Sequence, residues 1–223
     1  MCGRFAFYSP SEATAALFDV VGALPVEARY NIAPSQYVAA IRNGEDGARH
    51  LAMLRWGLVP FWAKDTAIGN RMINARSETV DEKPSFRNAF KSRRCLIPAD
   101  GFYEWQRTDE GKRPHRIAFS DGRPFAFAGL WEHWQDDNGN ELESCVILVR
   151  PANAQVAPIH DRMPVILPAA RYDEWLDPEN RHTESLNALL QPYPATEMKA
   201  YPVTTFVNSP HHEGPDCVRS LDP

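Results

Sequence analysis

A chain of 223 residues, 43% hydrophobic and 24% charged, is long enough to bury a real core and fits one large domain spanning 1–223. Its formal net charge of −5 argues against bulk electrostatic binding of nucleic acid while leaving room for a local arginine patch. No apolar stretch approaches the roughly 20 residues of a membrane span and no charged-then-apolar signal segment opens the chain, so a cytoplasmic protein without membrane partners is expected.

In chain order, "SPSEATAALFDVVG" reads as a helix, with Ser9 three residues ahead of Glu12 in a capping-box pattern and an end at Gly22. Strand-like runs follow at "YVAAIR", "HLAMLRWGLVP", "RCLIPADGFYEW", "HRIAF", "PFAFAGLWEHW", "SCVILV" and "PVIL", parted by turns such as "SDGRP" and "DDNGN". Shorter helices are predicted at "PSFRNAFKS", "PAARYDEWL" and "TESLNALLQ". Strands outnumber helices and do not alternate with them. The pattern predicts an α+β fold, a single domain with a curved, barrel-like, mainly antiparallel sheet and flanking short helices. The tail over 207–223 is expected to be irregular.

Four cysteines, at Cys2, Cys95, Cys145 and Cys217, form no CxxC pair and no metal-ligand spacing, which predicts a reducing compartment, no disulfide framework and no metal site. Cys95 and Cys145 lie in apolar runs and read as buried, inert thiols. Cys2 is different in its position. Removal of Met1 would leave an amine and a thiol on one residue, a 1,2-aminothiol able to attack a carbonyl twice and close a thiazolidine ring. Taken alone, Cys2 reads more readily as a small hydrophobe in a terminal strand.

Other chemistry-bearing residues are scattered. Asn74 and Arg76 stand in "MINARSET", where Asn74 could serve a backbone turn and Arg76 could pair with Glu78 at the surface. Glu104 lies in "ADGFYEW", where alternation places it with Phe102 and away from Tyr103 and Trp105. A carboxylate among aromatics is poorly solvated, which raises its pKa toward the range useful for proton transfer. His160 precedes Asp161, a neighbour that holds a tautomer if the fold turns it inward.

Together, "MCGR", "YNIAPSQ", "RWGLVPFWAK", "INARSET", "CLIPADGFYEW" and "APIHDRMPVIL" recur in an order that closely resembles the SRAP (SOS response-associated peptidase) family over roughly residues 1–168, with a weaker echo at "YPVTTFVNSPHHEGP". The resemblance implies covalent crosslinking to abasic sites in single-stranded DNA. It carries the crosslinking cysteine onto Cys2 and the other active-site residues onto Asn74, Glu104 and His160. DNA contacts fall on Arg4, Pro34, Trp62, Arg76, Trp105 and Arg162. The chain departs from the family at Val149–Arg150, where relatives often carry threonines, and in the longer segment containing Phe61 and Trp62.

The implied chemistry needs no cofactor. The expected partner is single-stranded DNA carrying abasic sites, with the replication machinery as a further one, and the expected state is a monomer. The resemblance also leaves room for self-removal of Met1. Two alternatives stand beside it. One is an N-terminal-nucleophile amidohydrolase or peptidase, like the glutamine amidotransferases that also begin "MCG"; the other is a single-stranded-DNA-binding module with no covalent step.

Overall fold

The computed structural model describes residues 2–9, 11–21 and 26–221. Thirteen strands lie among these residues: β1 (Phe5–Phe7), β2 (Arg29–Ile32), β3 (Tyr37–Asn43), β4 (Arg49–Trp56), β5 (Asn74–Arg76), β6 (Arg94–Ala99), β7 (Gly101–Thr108), β8 (Gly111–Phe119), β9 (Phe125–Gln135), β10 (Glu141–Pro151), β11 (Arg162–Pro164), β12 (Ile166–Leu167) and β13 (Met198–Pro202). The helices are short: α1 (Ser11–Phe18), α2 (Arg87–Ser92), α3 (Tyr172–Leu176) and α4 (Thr183–Leu189). None is long and apolar enough to cross a membrane.

One sheet runs β13-β8-β7-β1-β2. The other follows β11-β10-β4-β3-β6-β9-β12, and an added β9–β10 pairing closes β10, β4, β3, β6 and β9 into a five-strand barrel. Nearly all pairings are antiparallel, the parallel ones between strands being β10 with β4 and with β5. This is the α+β, barrel-like fold expected.

Alternate residues of the barrel strands enter different cores. Phe125 and Phe127 of β9 pack with Cys95 and Ile97 of β6 in one cluster, while Ala126, Ala128, Leu130 and Leu96 pack under the helices in another. A strand buried on both faces has no polar side, which is why "CVILV" and "FAFAGL" read as unbroken apolar runs.

Two expectations change. The run "RCLIPADGFYEW" is two strands in two sheets, broken at Asp100. Asp100 is buried and accepts from the amides of Tyr8 (2.5 Å) and Ser9 (2.9 Å), so its carboxylate turns the corner by anchoring the chain after β1. The hydroxyl of Ser9 also donates to Asp100, and α1 starts at Ser11, so Ser9 does not close the expected capping box. The predicted helix end at Gly22 lies outside the described residues. The segment 207–221 has only short 3-10 turns, yet it is tied down: Nδ2 of buried Asn31 donates to the carbonyls of Val207 (3.3 Å), Ser209 (2.9 Å) and His212 (2.8 Å).

Arg94 fastens α3 to the barrel. It is buried, and its guanidinium donates to the carbonyls of Trp175 (2.6 Å), Phe90 (2.8 Å), Asn180 (3.0 Å) and Asp177. Burial pulls its pKa down to about 10, which leaves it charged at neutral pH. Arg94→Met strands those carbonyls without donors and should cost about 3 kcal/mol or more, read as a lower urea midpoint with an unchanged slope.

Candidate active site

Register brings Cys2 toward Glu104. β1 pairs antiparallel with β7, Phe5 opposite Phe102 and Ala6 opposite Gly101, and the Tyr103 amide donates to the Arg4 carbonyl at 3.0 Å. The pairing stops at Arg4, and Cys2 lies in the core that also holds Phe5 and Phe102, where the charge of Glu104 reaches it. Alternation along β7 sends Phe102 into the core shared with Cys2, while Tyr103 and Trp105 pack with the tail. Glu104 therefore faces the Cys2 side, as the alternation predicted.

Both groups are almost wholly out of water, at 0% exposure for Cys2 and 3% for Glu104. Burial, reinforced by the negative charge of Glu104, pushes the Cys2 thiol far above its ordinary value, so the resting group is a thiol and not a thiolate. Burial likewise raises Glu104 to about 7, and the Asp161 carboxylate adds to the rise. A carboxyl poised near neutrality can give and take a proton at working pH.

His160 stands beyond Glu104, its Nε2 at 4.0 Å from Oε2. It closes a pair of tight turns over 153–160, where the Asn153 side chain accepts from the amides of Gln155 and Val156, both at 3.1 Å. Nδ1 accepts the Arg162 amide at 3.0 Å and also lies 2.9 Å from the exposed Asp161 carboxylate. One nitrogen cannot accept from the first and donate to the second together. Burial lowers the pKa of His160 and favours the neutral ring. The network then assigns its proton to Nε2, on the Glu104 side.

Asn74 opens β5 and pairs with Ile147 of β10, whose side chain lies in the Cys2 core. Its Nδ2 donates to the Ile73 carbonyl at 2.9 Å, and its buried Oδ1 has no hydrogen-bond partner among the described residues. An orphaned buried acceptor beside the Cys2 core is a group that a bound ligand could satisfy. Arg76, two residues on, is exposed, and its guanidinium has no hydrogen bond or ion pair among the described residues. Glu78 pairs with Arg162 and not with Arg76.

Arg4 is spent largely on the fold. Nη1 donates to Asn31 Oδ1 (2.7 Å) and the Val207 carbonyl (2.8 Å), Nη2 reaches the Asn208 carbonyl (3.4 Å), and the guanidinium lies 5.6 Å from the Trp105 ring centre. Trp105 itself donates to Asn208 Oδ1 at 2.7 Å. Asn31 and Asn208 escaped the sequence reading, although Asn31 sits within "YNIAPSQ" as a buried polar residue in a strand.

Pro34 lies in the turn after β2, ahead of Ser35 at φ 70°. Ser35 and Arg55 both donate to Asn70 Oδ1, at 3.1 and 2.9 Å, which ties that turn to the loop bearing Trp62. The root of the loop needs glycine: Gly57 has φ 132°, and a Cβ there would meet the Gly69 carbonyl oxygen at 2.6 Å. At its tip Phe61 and Trp62 are 54% and 48% exposed. A depression of about 750 Å³ beneath Trp62 is lined by Lys64, Asn70 and Arg71, and another of about 460 Å³ opens on Trp105, Arg107 and His160. Among the described residues no group of three His, Cys, Asp or Glu could hold a metal ion.

A family model described as SOS response associated peptidase (SRAP) matches residues 1–210. The chain is 48% identical over 225 positions to the abasic site processing protein YoqW of Bacillus subtilis (strain 168), covering 99% of this chain and 100% of the relative. It is 32% identical over 203 positions to the abasic site processing protein HMCES of Xenopus tropicalis, covering 81% of this chain and 60% of that one. The fold is similar to the crystal structure of a protein from Bacteroides thetaiotaomicron, with a TM-score of 0.88 at 27% identity, covering 99% of this chain and 100% of that one. The chain belongs to the SOS response associated peptidase family.

Proposed function

We propose that the chain, once Met1 is removed, captures abasic sites in single-stranded DNA as a thiazolidine on Cys2. The observation that carries this is a buried Cys2, which loss of Met1 would turn into an aminothiol, beside a carboxyl raised to about 7, and the names of the relatives support it.

An abasic site is a hemiacetal in equilibrium with a little open-chain aldehyde. The α-amine, with a reference pKa of about 7.7–8.0, attacks C1′ and forms a carbinolamine. Protonated Glu104 gives a proton to the departing hydroxyl, which leaves as water and yields the imine. The Cys2 sulfur then bonds to C1′ as the C=N π bond breaks, and the thiol proton ends on nitrogen. One water leaves overall. Sulfur that stays protonated until this step suits the order, because the amine must act first. His160, neutral and 4.0 Å from Glu104, is the group we assign to proton transfer at the sugar oxygen, both in opening the ring and in reversal.

Phosphates would dock on Arg76, Arg150 and Arg162, with Arg4 bracing Trp105 more than contacting the backbone. Trp62, Trp105 and Pro34 offer surfaces for bases and sugar. The comparisons lend no support to protease, hydrolase or lyase activity beyond the word peptidase in the family description, and removal of Met1, by the chain itself or by an aminopeptidase, belongs to the proposal.

Paired oligonucleotides test the reading. A strand with a true abasic site should give a protein band that survives heat and denaturant, and a strand with a tetrahydrofuran analogue, which lacks the aldehyde, should bind without one. Equal behaviour of the two strands would leave only the non-covalent module.

A further inference from the structure

Glu78 holds the guanidinium that a phosphate would need. It sits on the 3-10 turn Ser77–Thr79, directly after Asn74 and Arg76. Its Oε1 accepts from Nη1 of Arg162, 84 residues away in sequence, and its Oε2 accepts from the Ser77 hydroxyl at 3.2 Å. The pair is partly withdrawn from water, with the Arg162 side chain 22% exposed and that of Glu78 42%.

The charge of Glu78 also reaches Arg150. Arg150 and Pro151 of β10 pair with Met163 and Arg162 of β11, so the two arginines lie on adjoining strands. Nε of Arg150 is buried with no hydrogen-bond partner among the described residues. Arg162 and Arg150 thus share one carboxylate's field, and Arg76 stands on the adjoining strand where β5, β10 and β11 meet.

Carboxylate and phosphate offer a guanidinium the same paired oxygen acceptors. With Glu78 in place Arg162 is already neutralised. An arriving phosphate must break that pair or share the guanidinium against a like charge, and either way fewer counterions leave the DNA.

We propose that Glu78 is an internal counter-ion that competes with the DNA backbone for Arg162 and keeps affinity for undamaged single strands low, so that retention depends on the covalent step. This rests on the function proposed above. A carboxylate that merely braced Arg162 would have the opposite effect, since its loss would weaken binding.

The test is Glu78→Gln, which keeps the shape and an acceptor oxygen but removes the charge. Binding to the tetrahydrofuran oligonucleotide, in which no covalent step is possible, is measured over a tenfold range of salt. The variant should bind more tightly, and its log–log salt slope should be steeper by about 0.7, the contribution of one further phosphate contact to a single strand. The gain then grows about fivefold for each tenfold fall in salt. In an Arg162→Gln background the same change should yield a smaller gain. Wild type that binds while Glu78→Gln shows an equal or shallower slope, or weaker binding, overturns the counter-ion role alone. If neither protein binds the strand at any salt, the functional reading falls and takes the counter-ion role with it.

Discussion

Cys2→Ala is expected to abolish the heat-stable adduct with abasic single-stranded DNA entirely. The alanine variant keeps its amine and can reach the imine, but it has no sulfur to close the ring, and an imine is lost by hydrolysis when the sample is heated. Borohydride should therefore trap a covalent product from the variant, because reduction converts the imine to a stable amine. Cys2→Ser should behave in the same way. Moving the amine by an N-terminal extension should be more severe, since neither imine nor thiazolidine can then form at Cys2. An adduct of wild-type yield and heat stability from Cys2→Ala would exclude the thiazolidine. Cys2 is wholly buried against Phe5 and its neighbours, so the variant's thermal melt belongs beside the assay. The loss of one small buried sulfur costs far less than the fold's stability.

Glu104→Gln should slow adduct formation by about 100-fold or more near neutral pH, the usual contribution of a positioned general acid. The pH dependence identifies the cause. The wild-type rate should rise as the amine loses its proton near about 7.7–8.0 and fall as Glu104 loses its own near about 7, giving a maximum between those values. Glutamine has no carboxyl proton, so the falling limb should vanish. Stability should move the other way. The folded-state pKa of Glu104, about 7, lies above its ordinary 4.5, so at high pH the folded chain carries a buried charge that the unfolded chain solvates. Stability is then lost as pH rises from 4.5 toward 7, by about 3 kcal/mol for a shift of this size. Glu104→Gln should accordingly melt higher than wild type at about pH 8 and show no such advantage at about pH 4. A variant that reacts at the wild-type rate throughout would remove Glu104 from the chemistry.

The parts of this protein legible in its sequence are those whose physics is local. That Cys2 would become an aminothiol on loss of Met1 is a property of one residue, and the facing of Glu104 follows from two-residue alternation within one strand. The doubly buried strands announced themselves as apolar runs. What depended on distant partners was hidden. Nothing near Asp100 says that the amides of Tyr8 and Ser9 will turn it inward and split a strand between two sheets. Glu78 has Arg76 two residues away as the obvious pair, yet it meets Arg162 across the fold. The short strands at Arg29–Ile32, Asn74–Arg76 and Met198–Pro202 carry polar residues that mask strand periodicity. Asn74 and His160 entered as site residues through the family resemblance, since neither has a local signature that separates it from a turn or surface residue.

The most direct measurement is the mass of the crosslinked peptide after protease and nuclease digestion of the wild-type adduct. The account predicts a peptide that begins at Cys2, lacks Met1, and carries the abasic nucleotide with the loss of one water. That mass should not change on treatment with borohydride, because a thiazolidine has no C=N bond to reduce. A crosslink on any other residue, a crosslinked peptide that retains Met1, or a mass that rises by two hydrogens on reduction would contradict it.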